Sequence, residues 1–74
     1  MRTNIITGNA ASYAMAASVA NAKMASFDLQ DLESATLHAR TAVKLATPEK
    51  AAEANETAFR ADLALAIHRM VNML

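Results

Sequence analysis

The stretch that decides the fold is AASYAMAASVANAKMAS, residues 10–26, in which eleven of seventeen side chains are alanine or serine. Alanine is the strongest intrinsic helix former, and neither glycine nor proline interrupts the run. We therefore expect a helix whose small side chains let other helices approach at the lower end of the roughly 8–10 Å interaxial range. The residues we expect at the sites of closest helix packing are Ala10, Ala17 and Ala20.

The composition of the whole chain predicts a single domain with a weak core. Only 74 residues are present, and nineteen of the hydrophobic residues, which make up 54% of the chain, are alanine. A chain of this length buries only about 60% of its unfolded surface. An alanine methyl also contributes much less than the roughly 1.5–3 kcal/mol of a buried leucine or phenylalanine. We therefore expect self-association, as a homodimer or a higher oligomer.

The charge balance and the lack of cysteine narrow the classes of partner. Seven basic and seven acidic residues give a net charge of zero, whereas nucleic-acid binding usually needs a basic surface. No cysteine is present, so disulfides and thiolate zinc sites are excluded. The sequence contains no apolar run of 18 residues, the length that would predict a membrane-spanning helix. We expect a cytoplasmic protein that binds itself and a second protein, and neither nucleic acid nor membrane.

Helix start signals divide the chain into three predicted helices. Gly8 and Pro48 are the single glycine and the single proline, and each falls near a predicted helix start. Asp28 is placed to cap the second helix, and Thr47 to cap the third with Pro48 in its first turn. The expected helices are 9–26, 29–46 and 48–73, forming one domain over 9–74.

This pattern predicts an all-α protein, either a three-helix antiparallel bundle or a helical hairpin, with close small-residue packing. The short connections suit antiparallel neighbours within one chain, and they equally suit extended helices that pair with other chains. Residues 1–8 are expected to form an N-terminal arm that packs on, or adds to, a neighbouring subunit. A strand of a DNA-binding ribbon is disfavoured there, because Arg2 is its one charged residue.

Each predicted helix carries an apolar stripe with the alternating spacing of four and three residues that is typical of a bundle seam. The first stripe contains Ile6, Ala10, Tyr13, Ala17, Ala20, Met24 and Phe27. The second contains Leu29, Leu32, Thr36, Ala39, Val43 and Ala46. The third contains Ala52, Glu56, Phe59, Leu63, Ala66, Met70 and Met73. These residues are the predicted helix contacts.

The segment LALAIHRMVNML, residues 63–74, is apolar around most of its helical circumference. Such a helix is normally buried, and two other helices of a small chain cannot easily cover it. We interpret it as a self-association or partner surface, the alternative being a core helix covered within one chain. The residues assigned to this surface are Leu63, Leu65, Ile67, Met70, Val71, Met73 and Leu74.

No motif in the sequence predicts catalysis. Asp31, Ser34 and His38 are the residue types of a catalytic triad, but Asp31 and His38 lie about 10.5 Å apart along a helix axis. His38 and His68 have no metal-ligand spacing around them. A single glycine cannot build a phosphate-binding loop. We therefore expect a non-enzymatic protein with no catalytic residues, metal site or cofactor.

Two functions remain as hypotheses. The first is a small accessory protein, an adaptor, inhibitor or regulator, that presents an apolar helix surface. Methionine side chains such as Met70 suit such a surface because they adapt to varied partners. The second is a structural subunit of a larger helical assembly, which the alanine-rich first helix favours. An open assembly requires two different complementary surfaces, whereas a dimer requires one self-complementary surface.

Overall fold

A computed structural model describes the backbone of residues 2–74 and the side chains of residues 12–74. It contains three helices, α1 (Arg2–Ser26), α2 (Leu29–Leu45) and α3 (Ala51–Met73), packed against one another. Residues 2–74 contain no β-strand. The all-α prediction and the number of helices are therefore confirmed.

Helix α1 begins at Arg2, seven residues earlier than predicted. Gly8 lies inside the helix, where glycine costs about 1 kcal/mol relative to alanine but does not remove a backbone donor as proline would. The expected arm of residues 1–8 is thus helical from Arg2 onward, and Met1 lies outside the described residues. The prediction that Gly8 marks the helix start was therefore wrong, because a single glycine does not end a helix.

Helix α3 begins at Ala51, three residues later than predicted. The amide of Lys50 donates to the carbonyl of Thr47 at 2.9 Å, and the amide of Ala51 donates to the carbonyl of Pro48 at 3.4 Å. These bonds close tight turns between residues three apart, so the α-helical pattern starts only after Lys50. Thr47 is therefore not the cap of α3. Asp28 does occupy the cap position of α2, with an extended backbone and no side-chain hydrogen bond.

Helix α2 packs against both other helices through two buried clusters. One cluster brings the middle of α1 beside Ala42 of α2, and the other brings Ala20 of α1 beside Ala35 and Ala39 of α2. The first cluster contains Tyr13, Ala16, Ala42 and Ala54. The second cluster contains Ala20, Ala35, Ala39 and Ala61. Both clusters draw on all three helices, so one core runs along the molecule.

The core consists mainly of alanine. Among residues 12–74, seven of the ten buried hydrophobic residues are alanine, and Leu32 is the large side chain that is fully buried. Thr36 and Thr57 are also buried, and their hydroxyls donate to the carbonyls of Glu33 at 2.7 Å and Glu53 at 3.0 Å. The polar groups of both threonines are therefore satisfied within their own helices. Close contact between small side chains holds the three helices together.

The predicted stripes agree only partly with the buried faces. In α1, Tyr13 and Ala20 are buried as expected, but Ala16 was missed. Phe27, the last residue of the first stripe, lies just after α1 and is exposed. In α2, the expected Leu32, Thr36 and Ala39 are buried, together with Ala35 and Ala42.

The apolar stripe predicted for α3 is not the face that packs within the chain, so this prediction was wrong. The residues of α3 that are buried are Ala54, Thr57, Ala61 and Leu65. The large side chains Phe59, Leu63 and Met70 are exposed instead. A face carrying such side chains would hold α3 away from the alanines of α2. The small-residue face packs inward for that reason.

Enlarging a core alanine tests the close packing. Ala20→Leu inserts three carbon atoms at a fully buried position and should lower the free energy of unfolding by about 1–3 kcal/mol. Ala22→Leu, an exposed position on the same helix, is the control and should change it by less than about 0.5 kcal/mol. Urea denaturation followed by circular dichroism measures both. Equal stability of the two variants would contradict the alanine core.

The hydroxyl of Tyr13 provides a second test. It is buried and has no hydrogen-bond partner among the described residues. A buried hydroxyl without a partner costs roughly 1–3 kcal/mol, which Tyr13→Phe removes while keeping the ring. The free energy of unfolding should stay unchanged or rise by about 1 kcal/mol. A clear loss of stability in the same denaturation assay would show that the hydroxyl has a partner.

Candidate interaction surface

The main unpartnered feature of the molecule is one apolar face of α3, which we call the outer face. Phe59 and Met70 are 66% and 61% exposed, and Met73 is 84% exposed. Successive helical residues are separated by about 100°, which places Phe59 and Met70 on the side of α3 opposite the buried Ala61. The outer face consists of Phe59, Leu63, Ala66, Met70 and Met73. It is therefore a second apolar seam, directed away from α1 and α2.

Most of the residues assigned from the sequence to a self-association surface lie on or beside the outer face. Leu63, Met70 and Met73 belong to it. Ile67 and Leu74 are also exposed and lie along one edge of it, whereas Val71 is exposed but lies roughly 120° from Phe59 around the helix. These six side chains are accessible at the surface of the chain.

Leu65 requires a correction. It is only 9% exposed and belongs to the buried face of α3 that packs within the chain. At about 100° per residue, it lies roughly 120° from Phe59 around the helix, so it cannot share the outer face. Phe59 and Ala66 were absent from the assigned set and belong to the outer face. Their spacing of four and three residues from Leu63 is the sequence signal that identifies them.

Two ion pairs connect α3 to α2 along the other edge of the outer face. A side-chain nitrogen of Arg40 lies 3.5 Å from a carboxylate oxygen of Asp62. A side-chain nitrogen of Arg69 lies 3.5 Å from a carboxylate oxygen of Glu33. All four side chains are exposed by more than half, so each pair contributes at most about 1 kcal/mol to stability. Asp62 and Arg69 remain accessible to a further partner beside the outer face.

The three alanines expected at sites of close helix packing have different surroundings. Ala20 is fully buried between α2 and α3. Ala17 is half-buried and packs against the cluster around Tyr13. The side chain of Ala10 lies outside the described residues. The small-residue contact thus involves α1 from Tyr13 to Ala20 at least.

The turn between α1 and α2 contacts the C-terminal part of α3. The rings of Phe27 and His68 lie 5.3 Å apart, centroid to centroid, and are tilted by 54°. The side-chain amide of Asn72 donates to Nδ1 of His68 at 3.2 Å. Phe27 itself has a positive φ of 50°, which is uncommon for an aromatic residue. This contact fixes the position of α3 beside the turn.

The triad residue types of α2 are not arranged as a catalytic triad. The carboxylate of Asp31 accepts a hydrogen bond from the Ser26 hydroxyl at 2.8 Å and lies 3.7 Å from Nζ of Lys23. Nδ1 of His38 donates to the backbone carbonyl of Ser34 at 2.9 Å. These contacts connect α2 to the end of α1 and to its own backbone.

Within the described part of the chain, no three histidine, cysteine or acidic residues lie together as a metal site would need. Across those same residues, none of the helices combines the length and the hydropathy needed to cross a membrane.

No protein-family model, curated protein or solved structure matches this chain. Any function must therefore be argued from the outer face itself.

Proposed function

We propose that this protein is a small, non-enzymatic helical interaction module that self-associates through the outer face of α3. In this role it would act as an adaptor, inhibitor or regulator of another protein. The observation that carries the proposal is the distribution of large apolar side chains. Alanine fills the core of the chain, whereas Phe59, Leu63 and Met70 face outward.

The exposed apolar side chains of the outer face would gain free energy if a partner removed them from water. Burying a phenylalanine, leucine or methionine that is otherwise exposed contributes roughly 1.5–3 kcal/mol. Phe59, Leu63 and Met70 are adjacent along one helix face, so one partner surface can cover all three. Contiguous apolar patches on small proteins mark interaction sites. Covering the outer face supplies the stabilisation that the alanine core lacks.

The proposed functional unit is an oligomer of antiparallel three-helix bundles. Each chain keeps its own alanine core, because the clusters around Tyr13 and Ala20 draw on all three helices of one chain. The proposed location is the cytoplasm, where a protein without cysteines needs no oxidising compartment for its stability. The partners proposed are a second copy and another protein, with no role for nucleic acid or membrane.

A structural subunit of a larger helical assembly is the second candidate function. The molecule is elongated, with principal extents of 53 × 19 × 14 Å. Met15 of α1 and Leu37 of α2 are 68% and 62% exposed, and neither belongs to the outer face of α3. Two different apolar surfaces are what an open, continuing assembly requires. Mass that climbs steadily with concentration would favour this candidate.

Charge substitution on the outer face tests the interaction module. Met70→Glu places a charge where association would bury it, so the variant should become monomeric. Its helicity should be retained, because Met70 is exposed within the chain. The control is Leu37→Glu, an equally exposed apolar residue on α2, which should leave the mass unchanged. Size-exclusion chromatography with light scattering measures the mass over a hundredfold range of concentration.

The wild-type result distinguishes the outcomes. A fixed small multiple of the 7.9 kDa chain, reduced to 7.9 kDa by Met70→Glu alone, supports the proposal. A wild-type monomer at every concentration would contradict self-association. An oligomer that Met70→Glu leaves intact would contradict the assignment of the outer face.

A further inference from the structure

We propose that the outer face of α3 binds α3 of a second copy in antiparallel orientation, with Asp62 of each chain beside Arg69 of the other. The inference rests on the proposed function, because it specifies the geometry of the self-association. It would give a closed dimer with a two-fold axis through Ala66.

The outer face is nearly symmetric about Ala66. Its residues follow a spacing of four and three, which is the pattern of a coiled-coil seam. Leu63 and Met70 lie three and four residues from Ala66, and Phe59 and Met73 each lie seven residues from it. An antiparallel copy centred there places Leu63 against Met70 and Phe59 against Met73. Large side chains meet large ones, and the two Ala66 residues meet at the axis.

The edges of the seam differ in character. One edge carries the charged residues Asp62 and Arg69, seven residues apart and each exposed by more than half. The other edge carries Ile67 and Leu74, which have the same spacing of seven and are apolar and exposed. Arg60, seven residues before Ile67, is exposed on this edge as well. Residues that flank a seam set the partner and the orientation of paired helices. The orientation can therefore be argued from how these edges meet.

In an antiparallel pair each edge meets the same edge of the second copy. Asp62 then lies beside Arg69 of the second copy, and Arg69 beside its Asp62, which gives two interchain ion pairs. On the opposite side, Ile67 meets Ile67 of the second copy and extends the apolar contact. In a parallel pair, the charged edge would instead meet Ile67 and Leu74. The complementary charges of Asp62 and Arg69, together with the contact between the two Ile67 side chains, thus favour the antiparallel dimer.

Engineered cysteines test the orientation, because the natural chain contains none. A disulfide forms only where the two Cα atoms lie within about 7 Å. In the antiparallel dimer, a mixture of Phe59→Cys and Met73→Cys should cross-link between unlike chains, and each variant alone should not. Ala66→Cys lies on the axis and should cross-link by itself, whereas Leu37→Cys is the negative control. Mass spectrometry after mild oxidation identifies the products.

The cysteine results separate this inference from the proposed function. Cross-linking of Ala66→Cys together with the mixed 59–73 product supports the antiparallel dimer. Cross-linking of Phe59→Cys alone would show parallel helices, overturning the inference while leaving self-association through α3 intact. Failure of Ala66→Cys to cross-link, with a monomeric wild type, would overturn both. A wild-type oligomer without any of these products would place the contact elsewhere and also overturn the inference.

Charge exchange tests the proposed ion pairs without altering the seam. Asp62→Arg or Arg69→Glu alone creates two like-charge contacts and should weaken the dimer about tenfold. The double variant Asp62→Arg/Arg69→Glu restores the interchain pairs and should recover most of the affinity.

Within one chain the same double variant loses both pairs, because Arg40 and Glu33 then face like charges. A double variant weaker than either single variant would therefore show that the charges act within the chain, and would overturn the pairing. Sedimentation at several concentrations gives the dissociation constants of all three variants and the wild type. Lys44→Glu, a charge reversal at an exposed residue of α2 outside both edges of the seam, is the control and should have little effect.

Discussion

The structure depends on the contact between α2 and its two neighbours, in which alanine meets alanine. Ala35, Ala39 and Ala42 of α2 are fully buried, and the residues that cover them include Ala20 and Ala61. Side chains of this size let the helix backbones approach closely, so there is room for few larger groups such as Tyr13 and Leu32. Each helix turns a face rich in small residues inward. The bulky apolar residues of α3 consequently lie on the side that the chain itself does not cover.

This constraint gives α3 two apolar seams, a buried one of small side chains and an exposed one of large side chains. The inner seam, with Ala54 and Ala61, packs the helix against α2. Its burial contributes little to the free energy of unfolding, because the side chains are small. The outer face offers phenylalanine, leucine and methionine, which would contribute most of the apolar burial in an assembly. The ion pairs of Asp62 and Arg69 mark the boundary between the two seams. The small residues of α3 that pack within the chain and its large exposed apolar residues thus lie on opposite sides of the helix.

The sequence predicted the helices well because alanine content and periodicity act locally. It predicted their ends less well: Gly8 was tolerated inside α1, and tight turns after Pro48 delayed α3. Periodicity identified Phe59, Leu63 and Met70 as one face of α3. It could not show whether this face packs within the chain, because that depends on which face of α3 fits more closely against α2. Leu65 was misassigned for the same reason. The charges at Asp62 and Arg69 were missed because their partners lie on another helix.

The account's central claim is that the chain folds around alanine and becomes stable when the outer face is covered. The concentration dependence of the thermal unfolding midpoint tests it most directly, because association stabilises by mass action. We predict that the midpoint, followed by circular dichroism, rises steadily over a hundredfold increase in protein concentration. A midpoint that does not change with concentration, in a chain that remains monomeric, would contradict the claim.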